Sequence, residues 1–314
     1  MRLSNDVAAA LSDGTPVVAL ESTIVSHGLP WPANLAAAEE FEDLARSLGV
    51  VPATIAVLDG EPIIGLDADA LRRVADGGAQ VTKASVRDLP VLAALGGSAG
   101  TTVAATAFLA ATAGIRVFAT GGLGGVHRGA AGSAGGAAPT YDESADLSTL
   151  ASVPVTVVSA GVKSVLDIPA TLERLETLGV PVLGYGTRAF PAFWLRESGV
   201  ELDWSVDSAE QVAAIMRERD ALDMSAGILV ANPVPAEQAW EQAEHDRVLE
   251  QALAAAAHDG VRGKAVTPYL LGRVLEFSSG RSLEVNLDLV RNNIRVACAI
   301  ATAWADGAEE SIGE

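Results

Sequence analysis

Cysteine is almost missing from this chain. The single Cys298 lies in the apolar run 294–303, so no disulfide framework can form within one chain, and the thiol reads as a small core side chain. Aromatic residues make up only 4%, which points to an aliphatic, alanine-rich core of the kind found in parallel α/β sheets covered by helices. Positive charge is scarce as well. There are 21 Lys plus Arg against 40 Asp plus Glu, a formal net charge of −19. That excludes nucleic acid and anionic membranes as main partners, since both require a basic face. It leaves room for a small phosphate ligand, because one site can be locally positive. No apolar run reaches membrane-spanning length, and no basic segment followed by an apolar stretch opens the chain, so a soluble cytoplasmic protein is expected.

Lysine is the scarcest charge. Of the 21 basic residues only Lys83, Lys163 and Lys264 are lysine. Wherever a plain positive charge serves, the chain uses arginine. Lysine offers an amine that can lose its proton and a compact point charge, which arginine cannot. The alternative is that the three are leftover surface lysines.

What is present reads as alternating strands and helices. The 314 residues are 49% hydrophobic, ample for a buried core, and no boundary demands a second domain. The expected organisation is one α/β domain over 1–305, with an acidic, disordered tail at 306–314. Lys163 is the centre of that reading. The β-branched run 153–158 predicts a buried strand, and the apolar spacing over 164–178 predicts a helix starting directly after it. A lysine at such a strand end is placed to meet a ligand.

Three other stretches carry chemistry less specifically. The glycine-rich segment 96–103 reads as a loop feeding a helix over 104–113. Such a loop suits a phosphate, although Gly-Gly before a helix is more often ordinary turn punctuation. The segment 121–128 reads as a second flexible loop carrying His127, and 129–140 is a low-complexity Ala/Gly/Ser run expected to be mobile. Asp142, Glu143 and Asp146 could hold a hard divalent cation, or could simply accompany a helix N-cap. A long helix is expected over 236–258, another over 267–276, and a last one over 283–305.

Several segments resemble one enzyme family: Leu20-Glu21-Ser22-Thr23 running on to Ser26-His27-Gly28, Thr82-Lys83-Ala84-Ser85, Gly121-Gly122-Leu123-Gly124-Gly125-Val126-His127-Arg128, Ser144-Ala145-Asp146-Leu147, Gly161-Val162-Lys163-Ser164 and Val285-Asn286. The family is pseudouridine-5′-phosphate glycosidase, also called indigoidine synthase A-like. The likeness runs in order from about residue 4 to 304. It implies reversible cleavage of pseudouridine 5′-phosphate to uracil and ribose 5-phosphate. The bond broken joins two carbons, so the paired carboxylates that expel an oxygen leaving group do not suffice.

By this resemblance Lys163 is the nucleophile at C1′, forming a ring-opened imine, and Glu21 is the proton donor. Lys83, Thr101, Thr102 and Val103 are assigned to the phosphate. Ser144, Ala145 and Asp146 form a further substrate contact, and His127 and Asn286 face the uracil end. Asp142 holds a Mn²⁺ ion whose shell is completed by water. The resemblance also implies an α/β/α sandwich with a mostly parallel central sheet, and a homotrimer. An amine that attacks at neutral pH must shed a proton whose reference pKa is about 10.4. Burial and a neighbouring cation would assist, with Lys83 as that cation. The run between Arg128 and Tyr141 is longer than the family spacing, and Glu143 stands where an apolar residue is usual. It either adds a metal ligand or faces solvent. A Schiff-base aldolase acting on a phosphosugar and a non-catalytic nucleotide-binding protein are the rival readings.

Overall fold

The computed structural model describes residues 1–128, 141–262 and 265–310. The expected mobile run 129–140 and Lys264 lie outside the described residues. The chain builds an eleven-stranded sheet flanked by helices. The strands are β1 (Arg2–Leu3), β2 (Val17–Leu20), β3 (Val51–Leu58), β4 (Glu61–Ile64), β5 (Val81–Ala84), β6 (Ser98–Thr101), β7 (Val117–Ala119), β8 (Thr156–Ser159), β9 (Val182–Tyr185), β10 (Trp204–Val206) and β11 (Ile228–Ala231). Their order is β1-β4-β3-β2-β7-β8-β11-β9-β10, with β5 joined through β6 to β3. Only β3–β4 and β3–β6 pair antiparallel. The β3–β4 hairpin turns at Asp59 and Gly60, both with positive φ, as a two-residue turn of this twist requires.

The middle strands explain themselves by composition. Every residue of β2, β7, β8 and β11 is buried, and they are almost wholly apolar, as strands covered on both faces must be. The helix Arg281–Glu310 packs on β2, β7 and β8 and on the helices Ala33–Ser47 and Ala209–Ala221. It continues past the boundary expected at residue 305, so 306–310 are helical where a disordered tail was expected. Arg217 of the helix Ala209–Ala221 packs against this end, donating to the Ala303 carbonyl at 3.4 Å. Residues 311–314 lie outside the described residues.

Three further boundaries differ from the sequence expectation. The helix after Lys163 begins only at Ile168, because Pro169 has no N–H and fits no later than the first turn. The helix expected from 236 starts at Gln242, where the Glu241 side chain accepts from the amides of Ala243 and Glu244. The glycine-rich stretch expected as a loop is strand β6, paired with β5 on one side and β3 on the other. Gly100 in it is needed for close approach: a Cβ there would sit 2.2 Å from Ser26 Oγ.

Candidate active site

Strands β2, β7, β8 and β11 are adjacent and parallel, so their carboxyl ends open on one side of the sheet, the usual ligand side of such a fold. Glu21 follows β2. Gly121 and Gly122 follow β7. Lys163 follows β8 by a short turn. Together with Lys83 of β5 and Asn286 of the last helix, they line a cavity of about 390 Å³. The rest of the lining is apolar and comes from Phe193 and Trp194 and, on the helix Val266–Phe277, from Pro268, Leu271 and Leu275.

Glu21 is oriented by two hydroxyls: Thr23 and Thr120 each donate to one of its carboxylate oxygens. The turn carrying Lys163 is fixed through its backbone. The Lys163 amide donates to the Leu123 carbonyl at 3.1 Å, and the Lys163 carbonyl accepts from the Leu166 amide at 2.9 Å. Gly161, at φ 79°, precedes it; a Cβ there would lie 2.3 Å from the Pro191 carbonyl oxygen. Lys83 keeps an exposed side chain on β5 while its amine sits among the cavity's charged groups. Burial first, and then the Lys163 charge, push its amine below the ordinary lysine value, while Glu21 and Asp146 pull the other way.

Other expected site residues do not line this cavity. Thr101 is fully buried. Its amide donates to Ser22 Oγ at 2.9 Å and its hydroxyl to the Ile55 carbonyl at 2.6 Å, so it offers no free donor to a phosphate. Thr102 caps the helix Val103–Thr112, and Asp146 fills the end of that helix. Its Oδ1 accepts from the Ala104 amide at 2.9 Å and its Oδ2 from the Gly124 amide at 2.8 Å. The helix start expected to receive phosphate is thus occupied by the protein's own carboxylate. Ser144 caps the helix Ala145–Leu150, accepting from the Asp146 amide, and Ala145 is exposed in its first turn. Asp146 still reaches the cavity electrostatically, through Lys83.

Asp142 and His127 form a pair and, unlike Asn286, do not line the cavity. The His127 amide donates to the Asp142 carbonyl at 3.0 Å, and His127 Nδ1 lies 3.9 Å from Asp142 Oδ2. Glu143 is bound by Arg174 at 2.9 Å. Among the described residues no three His, Cys, Asp or Glu side chains cluster to hold a metal. Asp142 is about one-third exposed, so a cation that keeps most of its water fits there and a closed cage does not.

A family model described as indigoidine synthase A like protein matches residues 6–303. The chain belongs to the indigoidine synthase A-like family. It is 59% identical over 303 residues to a pseudouridine-5′-phosphate glycosidase of Frankia alni, covering 96% of this chain and 82% of that one. It is 54% identical to one of Saccharopolyspora erythraea, covering 96% and 97%. Among solved structures it is similar to the prealnumycin C-glycosynthase AlnA in complex with ribulose 5-phosphate, with a TM-score of 0.89, 34% identity and 98% of both chains covered. It is also similar to an indigoidine synthase A-like protein from Thermotoga maritima, with a TM-score of 0.84, 35% identity and coverage of 93% and 94%. Among the described residues, no helix is long and apolar enough to cross a membrane.

In this member of the indigoidine synthase A-like family, the structure adds residues to the site that sequence reasoning had left without a role. His27 lines the cavity. Ser26 Oγ lies 3.0 Å from the Ser22 carbonyl, which can only accept, so Ser26 donates there and accepts from His27 Nδ1–H at 2.7 Å. In the neutral ring Nε2 is then a bare acceptor. Burial, and then Lys83, hold this histidine below its usual range. Asn293 is fully buried in the last helix. It donates to the carbonyl oxygens of Thr120 at 2.7 Å and Gly121 at 3.3 Å, and accepts from Asn232 at 2.9 Å. The available signal was the Asn292-Asn293 pair at the point where the helix passes from Leu289-Val290 to the apolar run 294–303.

Proposed function

We propose that the protein cleaves the C1′–C5 bond of pseudouridine 5′-phosphate, giving uracil and ribose 5-phosphate, and that the reaction is reversible. The observation that carries this reading is the convergence of Glu21, Lys83, Lys163 and Asn286 on one cavity at the strand ends. The names of the relatives and the C-glycosynthase among the structural neighbours support it.

In the reaction, the Lys163 amine attacks C1′, and the bond from C1′ to the ring oxygen breaks. Glu21 gives its proton to that oxygen, and the nitrogen loses one. The nitrogen lone pair then forms a double bond to C1′ as the C1′–C5 bond breaks and C5 takes up a proton. Water hydrolyses the resulting imine, releasing ribose 5-phosphate and restoring the amine and one proton. Net, one water is consumed. This is nucleophilic catalysis, which divides one difficult cleavage into easier steps.

Lys83, whose positive charge Glu21 and Asp146 favour, meets the phosphate from the cavity lining, and Thr102 and Val103 act only through the helix start that Asp146 holds. Ser144, Ala145 and Asp146 brace that end. Asn286 hydrogen-bonds the uracil, and the apolar wall covers the base. Asp142 would hold Mn²⁺, with water as its other ligands and His127 alongside. When bound, the ion supplies positive charge against an anionic substrate. A homotrimer in the cytoplasm belongs to the same proposal, and sedimentation tests the assembly.

The deciding experiment is uracil release from pseudouridine 5′-phosphate with Mn²⁺, beside Lys163→Ala, with borohydride trapping. The expected result is uracil from the wild type and a reduced pentose phosphate adduct on Lys163. An adduct with another sugar phosphate and no uracil would make the substrate assignment wrong.

A further inference from the structure

Lys163 is followed by Ser164, whose hydroxyl is bound by a side chain with no part in the reaction above. His245, on the helix Gln242–His258, is 3% exposed. Its Nε2 lies 3.0 Å from Ser164 Oγ, and its Nδ1 lies 2.9 Å from Asp246 Oδ1. A carboxylate only accepts, so Nδ1 carries the proton. In the neutral ring Nε2 is then an acceptor, and the Ser164 hydroxyl donates to it. Burial keeps the ring below the usual histidine range in spite of Asp246, which favours that neutral form.

The rings of Trp194 and Trp240 box the imidazole, with centroids 6.0 and 5.7 Å away. An apolar side chain would fill this box without the cost of burying two ring nitrogens. The fold alone therefore gives little reason for histidine here. The nearby backbone is anchored independently: Arg128 donates to the carbonyl oxygens of Ser164 at 3.0 Å and Val165 at 3.3 Å. What His245 adds is a directional bond to the side chain next to the nucleophile.

We propose that Ser164 and His245 act as a positioning pair for Lys163, fixing the rotation of the turn from which its amine enters the cavity. The inference rests on the reading of Lys163 as nucleophile. It assigns the pair no contact with substrate. Its effect falls on formation of the bond to C1′, where small displacements are expensive, and leaves ground-state binding alone.

The test uses the full chain and four variants: Ser164→Ala, His245→Leu, the double variant, and His245→Gln, whose amide oxygen can replace Nε2 as acceptor. Uracil release gives kcat and KM, and borohydride trapping of the ribose 5-phosphate adduct gives the rate of bond formation on Lys163. Ser164→Ala and His245→Leu should each lower kcat and the trapping rate about tenfold, with KM within about twofold. The double variant should be no worse than the worse single, and His245→Gln should recover most of the loss. A purely structural histidine would lower the thermal midpoint and leave kcat per folded molecule unchanged. That result overturns the proposal, as would full additivity in the double variant. If the wild type traps ribose 5-phosphate but releases no uracil, the substrate reading fails and the trapping rates alone decide the pair. If Lys163 traps no sugar phosphate at all, the pair has no nucleophile to position and the inference falls.

Discussion

The cavity has two walls of different construction. On the polar wall, Glu21, Lys163, Gly121 and Gly122 continue parallel strands, and their supports lie deep: Thr120 is 1% exposed and Asn293 is 0% exposed. The apolar wall is drawn largely from one helix, Val266–Phe277, which pairs with no strand and packs mainly on the helix Gln242–His258. Groups that must be held to a fraction of an ångström sit where displacement would break sheet bonds. Groups that only need to exclude water and match a shape sit on an element that can change without disturbing the sheet. The site thus separates bond-making from recognition by the kind of scaffold each uses.

Perturbing either wall tests that separation. The largest effect is expected from Lys163→Ala, which removes the attacking amine: kcat should fall by at least about 10⁴-fold and the trapped adduct should vanish, as seen by mass spectrometry. Glu21→Gln keeps a partner for Thr23 and Thr120 but cannot give a proton, and kcat should fall about 10²- to 10⁴-fold with little change in folding. Asn293→Ala strands the Thr120 carbonyl and the Asn232 amide, so urea unfolding should show a loss of about 1–3 kcal/mol. On the other wall, Leu271→Ala should raise KM about three- to tenfold and leave kcat alone. A kcat loss there as large as that of Glu21→Gln would break the comparison.

The smallest effect concerns acid. Burial holds His27 and His245 below the ordinary imidazole range, so as pH falls through that range the unfolded chain binds protons that the folded chain refuses. Their contribution to stability is intact above about 6.5 and is lost as pH falls through the window beneath it. The thermal midpoint should drop between roughly pH 7 and 5, and drop less in His245→Leu. An unchanged slope in that variant would remove His245 from the account.

The polar wall was largely legible in the sequence. A chain that uses arginine almost everywhere marks Lys83 and Lys163 by keeping them, and the apolar β-branched run before Lys163 announces its strand. What stayed hidden were contacts between distant segments. β6 looked like a loop because glycine has low strand preference, and pairing with both β3 and β5 overrides that preference. Nothing local in Asp146 says that it will cap a helix 42 residues away. Thr101 carried the right chemistry for a phosphate, and its donors were spent on Ser22 and Ile55. The apolar wall was expected only as a helix, because leucines at helical spacing do not reveal what they cover.

Asn293 has a consequence for how the enzyme comes into being. Its amide holds the strand end that bears Thr120 and Gly121, yet it is encoded 173 positions later. A ribosome releases the strand long before the asparagine that braces it. The growing chain therefore carries Lys83, and then Lys163, without the assembled pocket around them until the last helix is made, and the site matures only when that helix docks.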